Sequence, residues 1–184
     1  MTRRQLLAAA AGASTRAWAQ SGPAGLTRFQ IGCMTLPYVQ FPLQRALEGI
    51  TKAGHRYVGW GTTHAEASGE RKPILTPDAA PAEARQLARR CRDLGLEPVM
   101  MFAAVNIEAP EALPIHTRRI EQASAAGIPF LITFGQTRPG AYDVWIRNLK
   151  QLGPVARQAG VTIAIKQHGG NTATGPSCFR LRIH

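Results

Sequence analysis

Four helical segments in this chain end at a glycine, and a short apolar run stands close behind each one. Pro42–Lys52 places Leu43, Leu47 and Ile50 at helical spacing, with a proline at the first turn, and stops at Ala53-Gly54. Ala80–Leu94 repeats the arrangement through Ala84, Leu87, Ala88, Cys91 and Leu94 and stops at Gly95. Glu111–Ala126 stops at Gly127, and Tyr142–Ala159 stops at Gly160. The runs between them read as strands: Phe29–Leu36, His55–Trp60, Leu96–Val105, Ile128–Phe134 and Val161–His168. Gly61–Pro77 reads as a long polar loop holding His64, Glu66 and Glu70. Strands that alternate with helices of this length form a parallel sheet with crossover helices. Polar segments after the strands favour a (β/α) barrel, whose sites lie at the C-terminal strand ends. The competing architecture is a doubly wound open sheet. No G-x-G-x-x-G follows the first strand, where Gly32-Cys33-Met34-Thr35-Leu36-Pro37 stands, which argues against a dinucleotide site.

Four segments together carry a family resemblance. They are Gly32 after its apolar start, AGHRYVGWG behind the first helix, the A-x-x-L-x-x-x-C-x-x-L-G-L segment, and GVTIAIKQHGG. In order and spacing they resemble the sugar phosphate isomerase/epimerase family of the xylose isomerase-like TIM-barrel superfamily. That superfamily also includes type IV apurinic endonucleases. The resemblance covers Phe29–Gly175 and implies an α/β fold, a parallel (β/α) barrel of TIM type. A complete barrel has eight βα units in typically about 250 residues. This chain of 184 residues reaches five strands and four helices, so an incomplete, C-terminally truncated barrel is expected.

Period-2 alternation in the fifth strand puts Val161, Ile163 and Ile165 on one face and Thr162, Ala164, Lys166 and His168 on the other. The branched apolar set suits the helix layer, so Lys166 and His168 are expected to project into the mouth. A buried lysine of lowered pKa acts as a base or polarises a sugar carbonyl, with His168 as its proton partner. These two are the candidate catalytic residues; the bland alternatives are a lysine reaching solvent and a structural histidine. His64, Asn106, Gly169 and Asn171 are the candidate substrate-binding residues, the glycines and Asn171 because their backbone N–H groups could meet a phosphate. The resemblance implies a metal-binding Glu at the end of strand five and often a Glu at the end of strand two. Here those positions hold Lys166 and Gly59, and the nearest carboxylates, Glu66 and Glu108, are on loops. No metal or other cofactor is therefore expected in this chain, although Mn, Mg or Zn is implied for full-length relatives.

Thr2-Arg3-Arg4-Gln5-Leu6-Leu7, a short apolar run and Ala17-Trp18-Ala19 read as a twin-arginine signal peptide over residues 1–19, with a linker over 20–28. The expected destination is periplasmic or secreted; the run is too short for a membrane anchor. The formal net charge of +11 suits an acidic substrate or a nucleic acid, but the arginines are spread over helix faces without interleaved aromatics. The expected partner is a small sugar or sugar phosphate, not nucleic acid. Cys33, Cys91 and Cys178 form neither a disulfide framework nor a zinc spacing; the first two read as core residues. Residues 176–184, PSCFRLRIH, break the pattern and read as an aberrant tail. The expected function is sugar isomerisation or epimerisation, lost in the truncated chain. A non-catalytic fragment or carbohydrate-binding module is the alternative, and an endonuclease-branch hydrolase a more distant one. Uncovered barrel edges would favour self-association.

Overall fold

The computed structural model describes residues 30–136 and 139–166. Five short strands form one parallel sheet: β1 (Gly32–Met34), β2 (Tyr57–Trp60), β5 (Glu97–Phe102), β6 (Phe130–Thr133) and β7 (Thr162–Ile165). Their order is β1-β2-β5-β6-β7, so each strand lies beside its predecessor in the βα series. The crossovers are the helices α1 (Leu43–Lys52), α2 (Pro81–Asp93), α3 (Ala112–Ala126) and α4 (Ala141–Gln158). This is a partial (β/α) barrel of TIM type, with β1 and β7 as the edges of the described sheet.

The helices form where the apolar spacing asks for them. Ala46, Leu47 and Ile50 of α1 are buried, as are Ala84, Leu87, Ala88 and Cys91 of α2. They pack on Val58, Trp60, Met101, Leu131 and Val161, which form the helix-facing side of the sheet. Burying a Leu or Ile side chain of this kind is worth roughly 1.5–3 kcal/mol. Glu83 reaches back to accept a 2.9 Å hydrogen bond from the Ala80 N–H, fixing the start of α2. Gly127 ends α3 at φ 73°, a left-handed conformation that a side chain would strain. Cys91 is buried and Cys33 half-buried against the core, as read from the sequence.

Gly61–Pro77 departs from the loop expected there. Residues Thr63–Ala65 (β3) and Arg71–Pro73 (β4) form an antiparallel hairpin, with His64 opposite Lys72. The hairpin is tied down on its β3 side, where Ala65 N–H donates to the Val39 carbonyl at 2.8 Å, and its own ladder runs one pair further, Ile74 N–H donating to the Thr62 carbonyl at 2.9 Å. The segment after β4 is then pinned to α3. Gln122 Nε2 donates to the carbonyls of Thr76 and Ala79, both at 2.9 Å, and Arg119 Nη2 to that of Leu75 at 2.9 Å. Arg119 is buried, and burial lowers its pKa to about 10, so it keeps its charge at neutral pH.

Candidate active site at the strand ends

The inner face of the sheet is the one turned away from the helices. Alternation from the buried helix-facing residues puts Met34, Gly59, Met100, Phe102, Phe130, Ile132, Ala164 and Lys166 on it. At its C-terminal rim three side chains meet. Phe102 ends β5, and its ring lies 6.1 Å from that of Phe134, edge to face at 72°. Lys166 follows β7, and its Nζ stands 5.9 Å from the centroid of Phe102. The Lys166 N–H donates to the Thr133 carbonyl at 2.8 Å, continuing the β6–β7 ladder one residue beyond the strand. The lysine is exposed, whereas Phe102 is buried beneath it. The exposed ammonium beside the half-buried Phe134 ring offers a donor for hydroxyl, carbonyl or phosphate oxygens next to an apolar surface.

The loops behind this rim are braced. Ile107 N–H donates to the Phe134 carbonyl at 2.9 Å, and Asn148 Nδ2 donates to the Ile107 carbonyl at 2.8 Å. Glu108 accepts from the Gln136 N–H at 2.8 Å through one oxygen and from Trp145 Nε1 at 3.0 Å through the other. A Cβ on Gly135 would run into both Trp145 and Glu108, so only glycine lets β6 exit against them. Ala104, two residues past Phe102, sits at φ 75°, a strained conformation for a residue with a side chain.

The sequence-derived candidates fall in three places. Lys166 stands at the rim. Asn106 is half-buried in the β5–α3 loop; its carbonyl accepts from the Ala109 N–H at 3.1 Å, and no side-chain hydrogen bond is formed among the described residues. His64 is 4% exposed on the hairpin after β2, in a sheet separate from the one that ends in Lys166. Its Nδ1 lies 2.9 Å from the Phe41 carbonyl. His168, Gly169 and Asn171 lie outside the described residues, as do the proposed signal peptide, the linker, Cys178 and the tail. Sequence reasoning passed over Phe102 and Phe134. The signal was available: both stand at the C-terminal ends of apolar runs, where barrel sites form.

The divalent metal that the resemblance implies does not fit these side chains. At the end of β2 a Cβ on Gly59 would lie 2.7 Å from the flexible end of Met100 and 3.3 Å from Met34 Cγ, so thioethers occupy the space a carboxylate would need. An ammonium stands at the end of β7, and both Glu108 oxygens already accept hydrogen bonds. Among the described residues, no group of three or more His, Cys, Asp or Glu converges.

Solved structures share this fold. An L-ribulose 3-epimerase superposes with a TM-score of 0.62 at 17% identity, over 83% of this chain and 56% of that chain. What the two chains share is the (β/α) barrel fold. A D-tagatose 3-epimerase-like protein matches with a TM-score of 0.61 at 14% identity, over 84% of this chain and 60% of the other. A xylose isomerase domain protein from Planctomyces limnophilus gives 0.58 at 15%, over 79% and 55%. The chain thus spans little more than half the length of the structures it matches. No protein-family model and no curated protein matches the sequence.

Proposed function

We propose that the rim formed by Lys166, Phe102 and Phe134 binds a sugar or sugar phosphate, and that the protein is of the sugar isomerase/epimerase type. The observation that carries this reading is the Lys166 ammonium, 5.9 Å from the Phe102 ring at the C-terminal strand ends. The names of the structural neighbours, among them L-ribulose and D-tagatose-type 3-epimerases, support a sugar with a carbonyl group. Lys166 would donate to that carbonyl or to a phosphate, and in a full-length barrel His168 would exchange the proton on the neighbouring carbon. With one cationic group at the described rim and no free carboxylate beside it, the chain alone is expected to bind sugar without turning it over.

The test is proton NMR of the full chain with D-fructose, D-tagatose and fructose 6-phosphate in deuterated water. Binding is expected at millimolar affinity, and Lys166→Ala should weaken it about tenfold. Loss of a sugar C–H signal by exchange would show that the chain is catalytic; binding without exchange marks it as a sugar-binding protein. Binding that is unaffected by Lys166→Ala, or absent for all three sugars, overturns the reading.

A further inference from the structure

Two consecutive residues of the β5–α3 loop hold the backbone around Phe134. Ile107 N–H donates to the Phe134 carbonyl at 2.9 Å, and Glu108 accepts from the Gln136 N–H at 2.8 Å. That grip is fastened in turn to α4. Trp145 and Asn148 stand three positions apart and so share one helix face. Trp145 Nε1 donates to the second Glu108 oxygen at 3.0 Å, and Asn148 Nδ2 donates to the Ile107 carbonyl at 2.8 Å. Both side chains are buried, Trp145 completely. Hydrogen bonds in such surroundings are strong and hold one geometry.

The bridge needs a carboxylate. Gln136 and Trp145 both present N–H donors, so the residue between them must accept through two separate oxygens. An ionised Asp or Glu does this; an amide would turn its own NH₂ toward one of the donors. There is also no slack behind the ring. A Cβ on Gly135 would collide with Trp145 and Glu108, so both pack directly on the backbone one residue past Phe134. The Phe134 ring then meets Phe102 edge to face, with the centroids 6.1 Å apart.

We propose that Glu108 is a positioning residue for the rim: by holding the peptide behind Phe134 it fixes that ring against Phe102, and it acts through the ring and not by touching a ligand. The ligand itself rests on the sugar reading above; the placing of the ring does not. The test is proton NMR of the full chain and its Glu108→Gln variant, which keeps the shape of the side chain but supplies one acceptor where two are used. The Phe134 ring signals should move toward those of an unrestrained phenylalanine. The Lys166 side-chain signals, set by Phe102 and the β6–β7 ladder, should move far less. Affinity for a sugar that the parent binds should fall about tenfold, because the apolar wall is no longer preorganised. Trp145→Phe removes the same bond from the helix side and should move the Phe134 signals the same way; it decides the matter if Glu108→Gln does not fold. Gln122→Ala, a change at the distant hairpin anchor, should lower the urea midpoint and leave the Phe134 signals in place. Phe134 signals that stay put in the folded Glu108→Gln variant, or move no more than in Gln122→Ala, overturn the proposal. Signals that move as expected in a chain whose parent binds no sugar support the positioning and overturn only the sugar reading.

Discussion

The buried polar residues hold this structure to one arrangement, and one of them makes it sensitive to acid. His116 is fully buried, donates from Nδ1 to the Ala112 carbonyl at 2.7 Å, and accepts at Nε2 from Thr133 Oγ1 at 2.8 Å. Burial, above all, pushes its pKa below the ordinary 6.5, and the nearby Arg119 charge adds to the effect. A proton on Nε2 would turn an acceptor into a donor facing a hydroxyl already committed to it. The unfolded chain takes up that proton at a higher pH than the folded one does. Stability is therefore full above about pH 6.5 and falls as the pH drops below it, toward the lowered folded value. Urea midpoints measured between about pH 7.5 and pH 5 should show this fall, and His116→Gln should flatten it. An equal fall in the variant would assign the acid sensitivity to other groups. None of this was legible in the sequence, where His116 is one polar letter in a helix. The same is true of Glu108, whose two acceptors are filled by residues 28 and 37 positions away.

The elements themselves were legible to the extent that their signals are local. Glycine at each helix end and apolar spacing of 3 and 4 mark all four helices, and the strands follow as the short runs between them. The hairpin was missed for a physical reason. β4 is Arg71-Lys72-Pro73, exposed throughout, and has no apolar face to print an alternation in the sequence. Its position depends instead on partners far along the chain, chiefly Gln122, which accepts Arg119 Nη1 at 2.9 Å and donates to two carbonyls of the segment behind β4. Gln122→Ala removes those donors and leaves the buried Arg119 Nη1 without its acceptor. The expected cost is about 1–3 kcal/mol. Amide exchange should quicken in β3, β4 and residues 74–79 before it does in β5 or β6. Uniform quickening across the sheet would show that the hairpin is not a separately anchored unit.

At the scale of the whole molecule the sheet has an uneven pair of faces. The helix side is closed over Leu131, Trp145 and Leu149, while on the inner side Phe130 is 43% exposed and lies in register with Met100 and Thr162. The edges compound this. Thr162 and Lys166 donate their N–H groups to the carbonyls of Pro129 and Thr133 on the β6 side. By the two-residue period, Ile163 and Ile165 turn theirs outward, away from β6. An apolar inner face beside a parallel edge that has no partner among the described residues is a surface on which a second copy gains burial. Self-association of the full chain is therefore expected, visible as an apparent mass that rises with concentration in sedimentation equilibrium. Phe130→Lys places a charge where the ring is already half in water, so its effect on folding should stay within about 0.5 kcal/mol. It should still shift the mass toward the monomer, because a buried lysine would need a partner in the associated state. If the variant melts as the parent does and associates just as strongly, the contact runs through the outward N–H groups of β7 and not through the inner face.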